Sequence, residues 1–308
     1  IGGTDRDYIE SVRECSDGGY IVGGYFYSSS IDLGNRVSLN NQGADDGMVI
    51  KYNKRGEVEW AHGIGNNSSD AINSVAETSD GCYIAGGYFL SDSIDLENRV
   101  SLLNHYGEST CEGMIIKYNS GGKVEWAKTI GGTSSDYIKS VAKCSDGGCI
   151  VGGYFESTSM DLGNEISLTR NPSSNCNGMI IKYGSDGEVE WAERIGGTYG
   201  EYIESVGECN DGGCIVGGYF KSSNIDLGNG ISLTNKTGGG STDGMVIKYK
   251  DLSKSSVLVH HYIEGTTTSL SADVTIEGKI GDAYSASPAT DIPEYYELVA
   301  TPSNQAGT

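Results

Sequence analysis

One unit is written four times along this chain, and that constrains the fold more than any other property. G-G-Y-F recurs at Gly23, Gly86, Gly152 and Gly217, at steps of 63, 66 and 65 residues. All four phenylalanines lie in it. The three tryptophans, Trp60, Trp126 and Trp191, all stand in V-E-W-A, and four of the five methionines (Met48, Met114, Met179, Met245) open a segment G-M-V/I-I-K-Y. Rare residues recurring in step mean that residues 1–250 form an array of similar units, each packed mainly on its neighbours.

Each unit reads as four short strands. The first is D-Y-I-E-S-V at Asp7 to Val12, recurring at Asp70, Asp136 and Glu201, and an S-D-G-G or N-D-G-G turn leads into a second such as Tyr20 to Phe26. Asp-Gly between apolar runs is a strong hairpin signal. The third strand (Met48 to Tyr52) and the fourth (Val58 to Ala61) form a second hairpin. Alternation predicts Val58 and Trp60 on one face of the fourth strand, with Glu57 and Glu59 opposite.

Radially stacked four-stranded units of about 65 residues are the β-propeller solution to burying sheets with short edges. The expected fold is therefore all-β, with blades at about 1–61, 62–127, 128–192 and 193–250 and the tryptophan strand at the rim of each. G-G-T at Gly2, Gly131 and Gly196 is expected to carry the chain from one blade to the next. Only three V-E-W-A strands are present, so 15 strands stand where four complete blades need 16. The preferred reading is a fragment of a propeller with more blades; a foreign strand filling the gap is the alternative.

Composition narrows the partners. Glycine, at 47 of 308 residues, fits turn-rich β structure, and a net charge of −21 repels nucleic acid and anionic lipid. No apolar run approaches the about 20 residues that cross a bilayer, and the chain opens at Ile1 without a signal segment.

The order G-G-T-x-x-D-Y-I-x-S-V, D-G-G-x-I-V-G-G-Y-F, I-D-L-G-N-x-x-S-L, D-G-M-V-I-K-Y-x-x-x-G-E-V-E-W-A resembles the bacterial SBBP-type β-propeller repeat of secreted and surface proteins. That resemblance implies the fold and an exported location; the family shares no catalytic apparatus. After Lys250 the pattern changes. V-L-V-H-H-Y at Val257, G-K-I-G-D-A-Y at Gly278 and Y-E-L-V-A-T-P-S-N-Q-A-G-T at Tyr296 look like the MucBP module, named for mucin binding, of Gram-positive surface proteins. Residues 251–256 read as a linker and 257–308 as this module, lacking its last strand. Together the resemblances imply a secreted or wall-anchored protein of a Gram-positive bacterium, with signal peptide and anchor outside this chain.

Candidate chemistry is sparse. Cys144 and Cys149, and Cys209 and Cys214, bracket hairpin turns where disulfides are geometrically conceivable, with free, partly buried thiols as the alternative. No C-x-x-C is present and the histidines His62, His105, His260 and His261 follow no repeat, which argues against zinc. Asp32, Asp95, Asp161 and Asp226 of I-D-L-G-N are weak calcium candidates, set against local Asx turns. Glu57 and Glu59 read as a solvated strand face and not a glycosidase pair. Tyr25, Tyr88, Tyr154 and Tyr219 are either core or sugar-stacking rings.

Blades differ most at Asn40 to Asp46, Leu103 to Glu112, Thr169 to Asn177 and Thr234 to Asp243. A repeated scaffold puts specificity in such loops, and equivalent positions should bring them to one side. The expected function is non-enzymatic binding of mucin, another glycan or a surface protein. The alternatives are a structural stalk and a fragment of a surface enzyme whose active site lies elsewhere.

Overall fold

The computed structural model describes residues 1–250 apart from 97, 98 and 229, together with short strands beyond them. The chain divides into two compact units, Ile1–Lys250 and Asp251–Thr308. The first is all-β.

In the first blade β1 (Asp7–Glu14), β2 (Tyr20–Phe26), β5 (Asp46–Tyr52) and β6 (Val58–Ile64) form one antiparallel sheet in that order. The second repeats it with β7 (Asp70–Glu77), β8 (Tyr83–Phe89), β11 (Glu112–Tyr118) and β12 (Val124–Ile130). The third has β13 (Asp136–Lys143), β14 (Cys149–Phe155), β17 (Asn177–Tyr183) and β18 (Val189–Ile195). The fourth has three strands, β19 (Glu201–Glu208), β20 (Cys214–Phe220) and β23 (Asp243–Tyr249). The tryptophan strand is an edge in every sheet that has one. Four small hairpins, absent from the sequence reading, fill the long connections: β3–β4 (Ser30–Asp32, Ser38–Asn40), β9–β10 (Ser93–Asp95, Ser101–Leu103), β15–β16 (Ser159–Asp161, Ser167–Thr169) and β21–β22 (Asn224–Asp226, Ser232–Thr234).

The core lies between sheets. Ile21, Val49 and Ile64 of the first blade join Ile72, Val75, Phe89, Met114 and Ile116 of the second in one buried cluster. Ile84, Ile115 and Ile130 do the same with Ile138, Val141 and Phe155, and Ile150, Ile180 and Ile195 with Ile203, Val216 and Phe220. At the centre of each contact an isoleucine and a valine enter a space left by a glycine. A Cβ on Gly23 would stand 2.7 Å from Val75 Cγ1 and 2.8 Å from Ile72 Cγ2, and Gly86 and Gly152 meet Val141 and Val206 at 2.5 and 2.3 Å.

Two bulges correct the alternation read from the sequence. In β6, Lys51 pairs with Trp60 but Tyr52 with Val58, so Glu59 is the extra residue. The bulge turns Val58 and Trp60 to different faces: Val58 packs with Val22 and Met48 of its own blade, Trp60 with the cluster shared with the next. There the indole covers the 119–123 turn, whose Gly122 has φ 81° and room for no side chain beside Trp60 Cγ, 2.6 Å from its ideal Cβ. A matching bulge in the first strand skips Glu10, Asn73, Lys139 and Glu204.

In the second unit β24 (Lys254–Val259) pairs with β25 (Val274–Lys279) and β26 (Tyr284–Ser285) with β27 (Ala306–Gly307). Lys254 to Ser256 therefore pair with Glu277 to Lys279, inside the stretch read as linker. His260 and His261 lie outside the described residues.

Candidate ligand-binding face

The register places all four variable loops on one side of the array. Asp7 stands opposite Phe26, Phe26 opposite Asp46, and Gly47 opposite Ile64. The start of β1, the end of β2, the start of β5 and the end of β6 thus share one edge of the sheet. The tight turns, such as 15–19 and 53–57, occupy the other. Repetition puts the four loops, the small hairpins and the blade-to-blade connections along the same edge of each successive blade.

Each loop is closed at its stem by the first residue of the strand that follows. Asp46 Oδ2 accepts from Gln42 N at 2.9 Å, Glu112 Oε1 from His105 N at 2.8 Å, Asn177 Oδ1 from Asn171 N at 2.8 Å and Asp243 Oδ2 from Lys236 N at 2.8 Å. The loops are then fixed to the neighbouring connection or strand end by backbone bonds, among them Ala44 N to Ser68 O at 3.1 Å, Asp136 N to Cys111 O at 2.8 Å and Gly240 N to Lys221 O at 2.8 Å. Closed stems leave the tips to vary without disturbing the sheets. At the tips and connections Leu103, Tyr106 and Tyr199 are about half exposed.

Below the loops lies a row of buried carboxyls. Asp70, Asp136 and Glu201 open the first strand of their blades; Asp70 and Asp136 accept from Ser91 and Ser157 hydroxyls at 2.6 Å, and Glu201 from Ser222. Each faces the stem residue of the preceding blade, and the three junctions differ. In the third, Asn177 Nδ2 donates to Glu201 Oε2 at 3.2 Å. In the second, Glu112 is also 3.3 Å from His105 Nδ1. In the first, Asp46 meets Asp70 with no amide or imidazole between, and Asp46 Oδ1 is buried without a hydrogen-bond partner. Burial lifts the Asp46 carboxyl to about 6; the Gln42 amide opposes this and the Asp70 and Asp45 charges add to it.

A pH dependence follows. A carboxyl whose folded pKa lies above its unfolded value binds a proton more tightly when folded, so stability falls as pH rises from about 4 to about 6 and the cost is complete above that. Asp46→Asn, which copies the third junction, is expected to raise stability at pH 7 by about 2 kcal/mol, or roughly 4–8 °C in melting temperature. The gain should vanish near pH 4. Thermal melts across that range measure it; an equal gain at both pH values would refute the buried-charge account.

Tyrosines edge the first two strands on the loop side. Tyr88 meets Tyr137 edge-on at 5.2 Å, Tyr137 stacks on Tyr154 at 4.9 Å, Tyr154 meets Tyr202 edge-on at 4.8 Å and Tyr202 stacks on Tyr219 at 4.6 Å. Tyr8 stacks on Tyr25 at 4.9 Å at the first blade. The sequence offered core or sugar-stacking roles for Tyr25, Tyr88, Tyr154 and Tyr219. The structure leaves all four half-buried, and burial holds their phenols protonated above the ordinary range. Tyr137 and Tyr202, which complete the ladder, were visible in the sequence only as first-strand residues.

The cysteine candidates resolve as thiols. Cys144, Cys149 and Cys209 carry free thiols, so neither hairpin disulfide is formed. The register explains this: Cys149 stands opposite Lys143 and Cys214 opposite Glu208, one residue short of the other cysteine. Burial pushes the thiols of Cys15 and Cys82 up to about 11 and Cys149 to about 12, which makes them weak nucleophiles at neutral pH.

Asp32, Asp95, Asp161 and Asp226 fall in four separate hairpins and are exposed. Asp32, Asp161 and Asp226 accept from the amide two residues on, at 2.9, 3.0 and 2.9 Å, the geometry of an Asx turn. No group of three or more His, Cys, Asp or Glu with metal-binding geometry occurs among the described residues. Glu59 is exposed, as expected of a solvated strand face, and through its bulge it also reaches Lys51 Nζ at 2.9 Å, while Asp17 of the S-D-G-G turn reaches the same nitrogen at 2.7 Å. Lys117 and Lys182 repeat the arrangement with Asp80 and Glu125, and with Asp146 and Glu190.

Known proteins offer distant parallels. The chain is 27% identical over 165 residues to an uncharacterized WD repeat-containing protein of Acanthamoeba polyphaga mimivirus, covering 52% of this chain and 12% of that protein. It is 25% identical over 136 residues to the regulatory protein FlaEY of Caulobacter vibrioides, covering 44% of this chain and 14% of that protein. The chain thus spans only a small part of the curated relatives it matches. A protein of unknown function from Bacteroides caccae aligns with a TM-score of 0.36 at 10% identity, over 77% of this chain and 61% of that one. Among described residues, no helix is long and apolar enough to cross a membrane. Residues 256–308 match the MucBP domain, so propeller-like blades precede a module of the MucBP type in one chain.

Proposed function

We propose that this is a non-enzymatic, extracellular binding protein of a bacterial surface, which recognises mucin or a related glycan through the loop side of its blades and its MucBP module. The observation that carries the reading is the shared edge: four loops of different sequence, each closed at its stem, stand on one side of a repeated scaffold next to a ladder of half-buried tyrosines. Tyrosine faces offer flat apolar area to sugar C–H groups, while their hydroxyls and the loop amides offer hydrogen bonds. The match of residues 256–308 to MucBP supports mucin as the ligand class and the cell exterior as the place. The similarity of the repeats to SBBP-type propellers supports an exported protein as well.

The test is binding of the whole chain to immobilised mucin and a glycan array. Replacing the exposed tip residues 42, 105–106, 108–109, 172–173 and 236–237 while keeping Asp46, Glu112, Asn177 and Asp243 is expected to weaken binding at least about tenfold, or about 1.4 kcal/mol, with little change in melting temperature. Retained binding would assign recognition to the C-terminal module alone and leave the blades as a spacer. No binding by the unaltered chain would refute the proposal.

A further inference from the structure

The junction between the first and second blades buries negative charge that no basic side chain neutralises. Asp45, Asp46 and Asp70 meet there and are 3%, 0% and 0% exposed. Asp70 is fully engaged: Oδ1 accepts from Leu90 N and Ser91 N, both at 3.1 Å, and Oδ2 from Asn66 N at 3.1 Å and Ser91 Oγ at 2.6 Å. Four donors around one carboxyl favour its ionised form. Asp46 Oδ2 accepts from Gln42 N at 2.9 Å, but Oδ1 is buried with no hydrogen-bond partner. Among the described residues no lysine, arginine or histidine forms an ion pair with any of the three. Buried charge left unpaired in this way is costly.

The third junction shows what the first one lacks. Asn177, in the place of Asp46, sends Nδ2 to Cys176 O at 2.8 Å and to Glu201 Oε2 at 3.2 Å, while Arg194 Nη1 reaches its Oδ1 at 3.2 Å. The counterparts of those two acceptors at the first junction are the Asp45 carbonyl and Asp70. A buried acceptor thus stands where the third junction has a donor. The counterpart of Arg194 is Gly63, which pairs with Met48 as Arg194 pairs with Met179. Gly63 is exposed, and a Cβ on it would find only Asn40 O, at 3.8 Å, so the space that an arginine takes in the third blade is open in the first. Gly65 gives clearance on the other side: its ideal Cβ would lie 2.4 Å from Asp46 Oδ1 and 2.8 Å from Asp70 Oδ2, so both oxygens converge on this glycine.

We propose that a calcium ion binds at this junction, held by Asp46 Oδ1 and Asp70 Oδ2, with the Asp45 carbonyl and water from the open side at Gly63 completing its shell. The donors are all oxygen and two are anionic, which suits a hard divalent cation. Calcium fits better than magnesium, which gives up its water reluctantly and demands a regular octahedron. Only two side chains take part, so the site differs in kind from the groups of three that the described residues lack. It also lies apart from the I-D-L-G-N aspartates, whose oxygens serve local turns. The ion ties the stem of the first variable loop to the first strand of the second blade, so binding it stabilises the fold. Nothing in this inference depends on what the loop face recognises.

Thermal melts and isothermal titration of the whole chain, first stripped with a chelator, test this. Calcium is expected to bind at one saturable site and to raise the melting temperature by about 5–10 °C at a hundredfold excess over its dissociation constant. Magnesium at the same concentration should do little. Asp46→Asn is expected to abolish both the site and the shift, while melting no lower than the parent in chelator, so that the loss is not one of folding. Asp32→Asn, which keeps its exposed turn, should retain both. An unaltered chain that ignores calcium overturns the proposal and leaves Asp46 and Asp70 to share a proton. So does a shift that survives Asp46→Asn or that magnesium matches, because either belongs to the diffuse attraction of a chain with net charge −21.

Discussion

Gly87→Ala is expected to unfold the second blade. A Cβ at this position would lie 1.9 Å from the carbonyl oxygen of Ala71 and 2.9 Å from its carbon. Both are backbone atoms of the paired strand, so no rotamer change relieves the clash. The cause is the bulge: Ile72 pairs with Gly87 but Ser74 with Gly86, and the extra residue, Asn73, drives the preceding carbonyl towards the glycine. Asn73 Nδ2 is itself tied to Ile138 O of the next blade at 2.7 Å, so the bulge cannot simply flatten. A loss of at least about 4 kcal/mol, roughly 8–16 °C in melting temperature or a failure to accumulate soluble protein, is the expected result. Calorimetry checks it. Gly217→Ala, whose Cβ meets nothing, should stay within about 0.5 kcal/mol of the parent, and equal losses at the two glycines would show that backbone freedom and not contact is at stake.

The second large effect concerns Lys51. Its side chain is fully buried, with Nζ 2.7 Å from Asp17, 2.9 Å from Glu59 and 3.0 Å from the Tyr52 carbonyl. Burial by itself would lower the ammonium pKa, but the two carboxylates outweigh it and hold it above the ordinary lysine range. Lys51→Met should cost about 2–3 kcal/mol: three charge-assisted bonds disappear, while Asp17 and Glu59, each about half exposed, regain water. At the fourth blade Lys248 is 53% exposed and pairs with Asp211, itself 55% exposed, so Lys248→Met should cost close to nothing. Denaturant unfolding of both variants separates the cases. Equal costs would mean that the lysine stem, and not its buried charge, is what stabilises the sheet.

The acid limb of the same pairing has a sign that can be worked out. At Asp80 burial works to raise the carboxyl, yet Lys117 and the neighbouring hydrogen bonds bring it down to about 2. Its folded pKa lies below the unfolded value, so the stabilisation is complete above the ordinary carboxylate range and is lost as pH falls through about 2. Asp46 behaves oppositely: burial raises it and the Asp70 and Asp45 charges add to this, where Asp80 has Lys117 to bring it down.

Much of this was legible in the residues. Recurrence of Trp, Met and Phe in step marks the blade, Asp-Gly marks the hairpins, and counting V-E-W-A strands anticipates the three-stranded fourth sheet. The one-sided placement of the variable loops follows from repetition. These features are readable because they rest on local turn chemistry and on period, which depend on near neighbours in the sequence.

The tertiary structure decided the rest. Whether Val58 and Trp60 share a face, and whether the exposed Glu59 can also reach Lys51, turns on one bulge residue. The small hairpins, the loop-closing role of Asp46, Glu112, Asn177 and Asp243, and the tyrosine ladder all join residues from different strands or blades. Gly217 and Gly23 sit in the same G-G-Y-F motif, yet a Cβ would meet nothing within 4 Å at the first and Val75 and Ile72 at the second. Sequence determines which surfaces each blade presents; only packing decides which of them are covered, because burial is a property of the neighbour as much as of the residue.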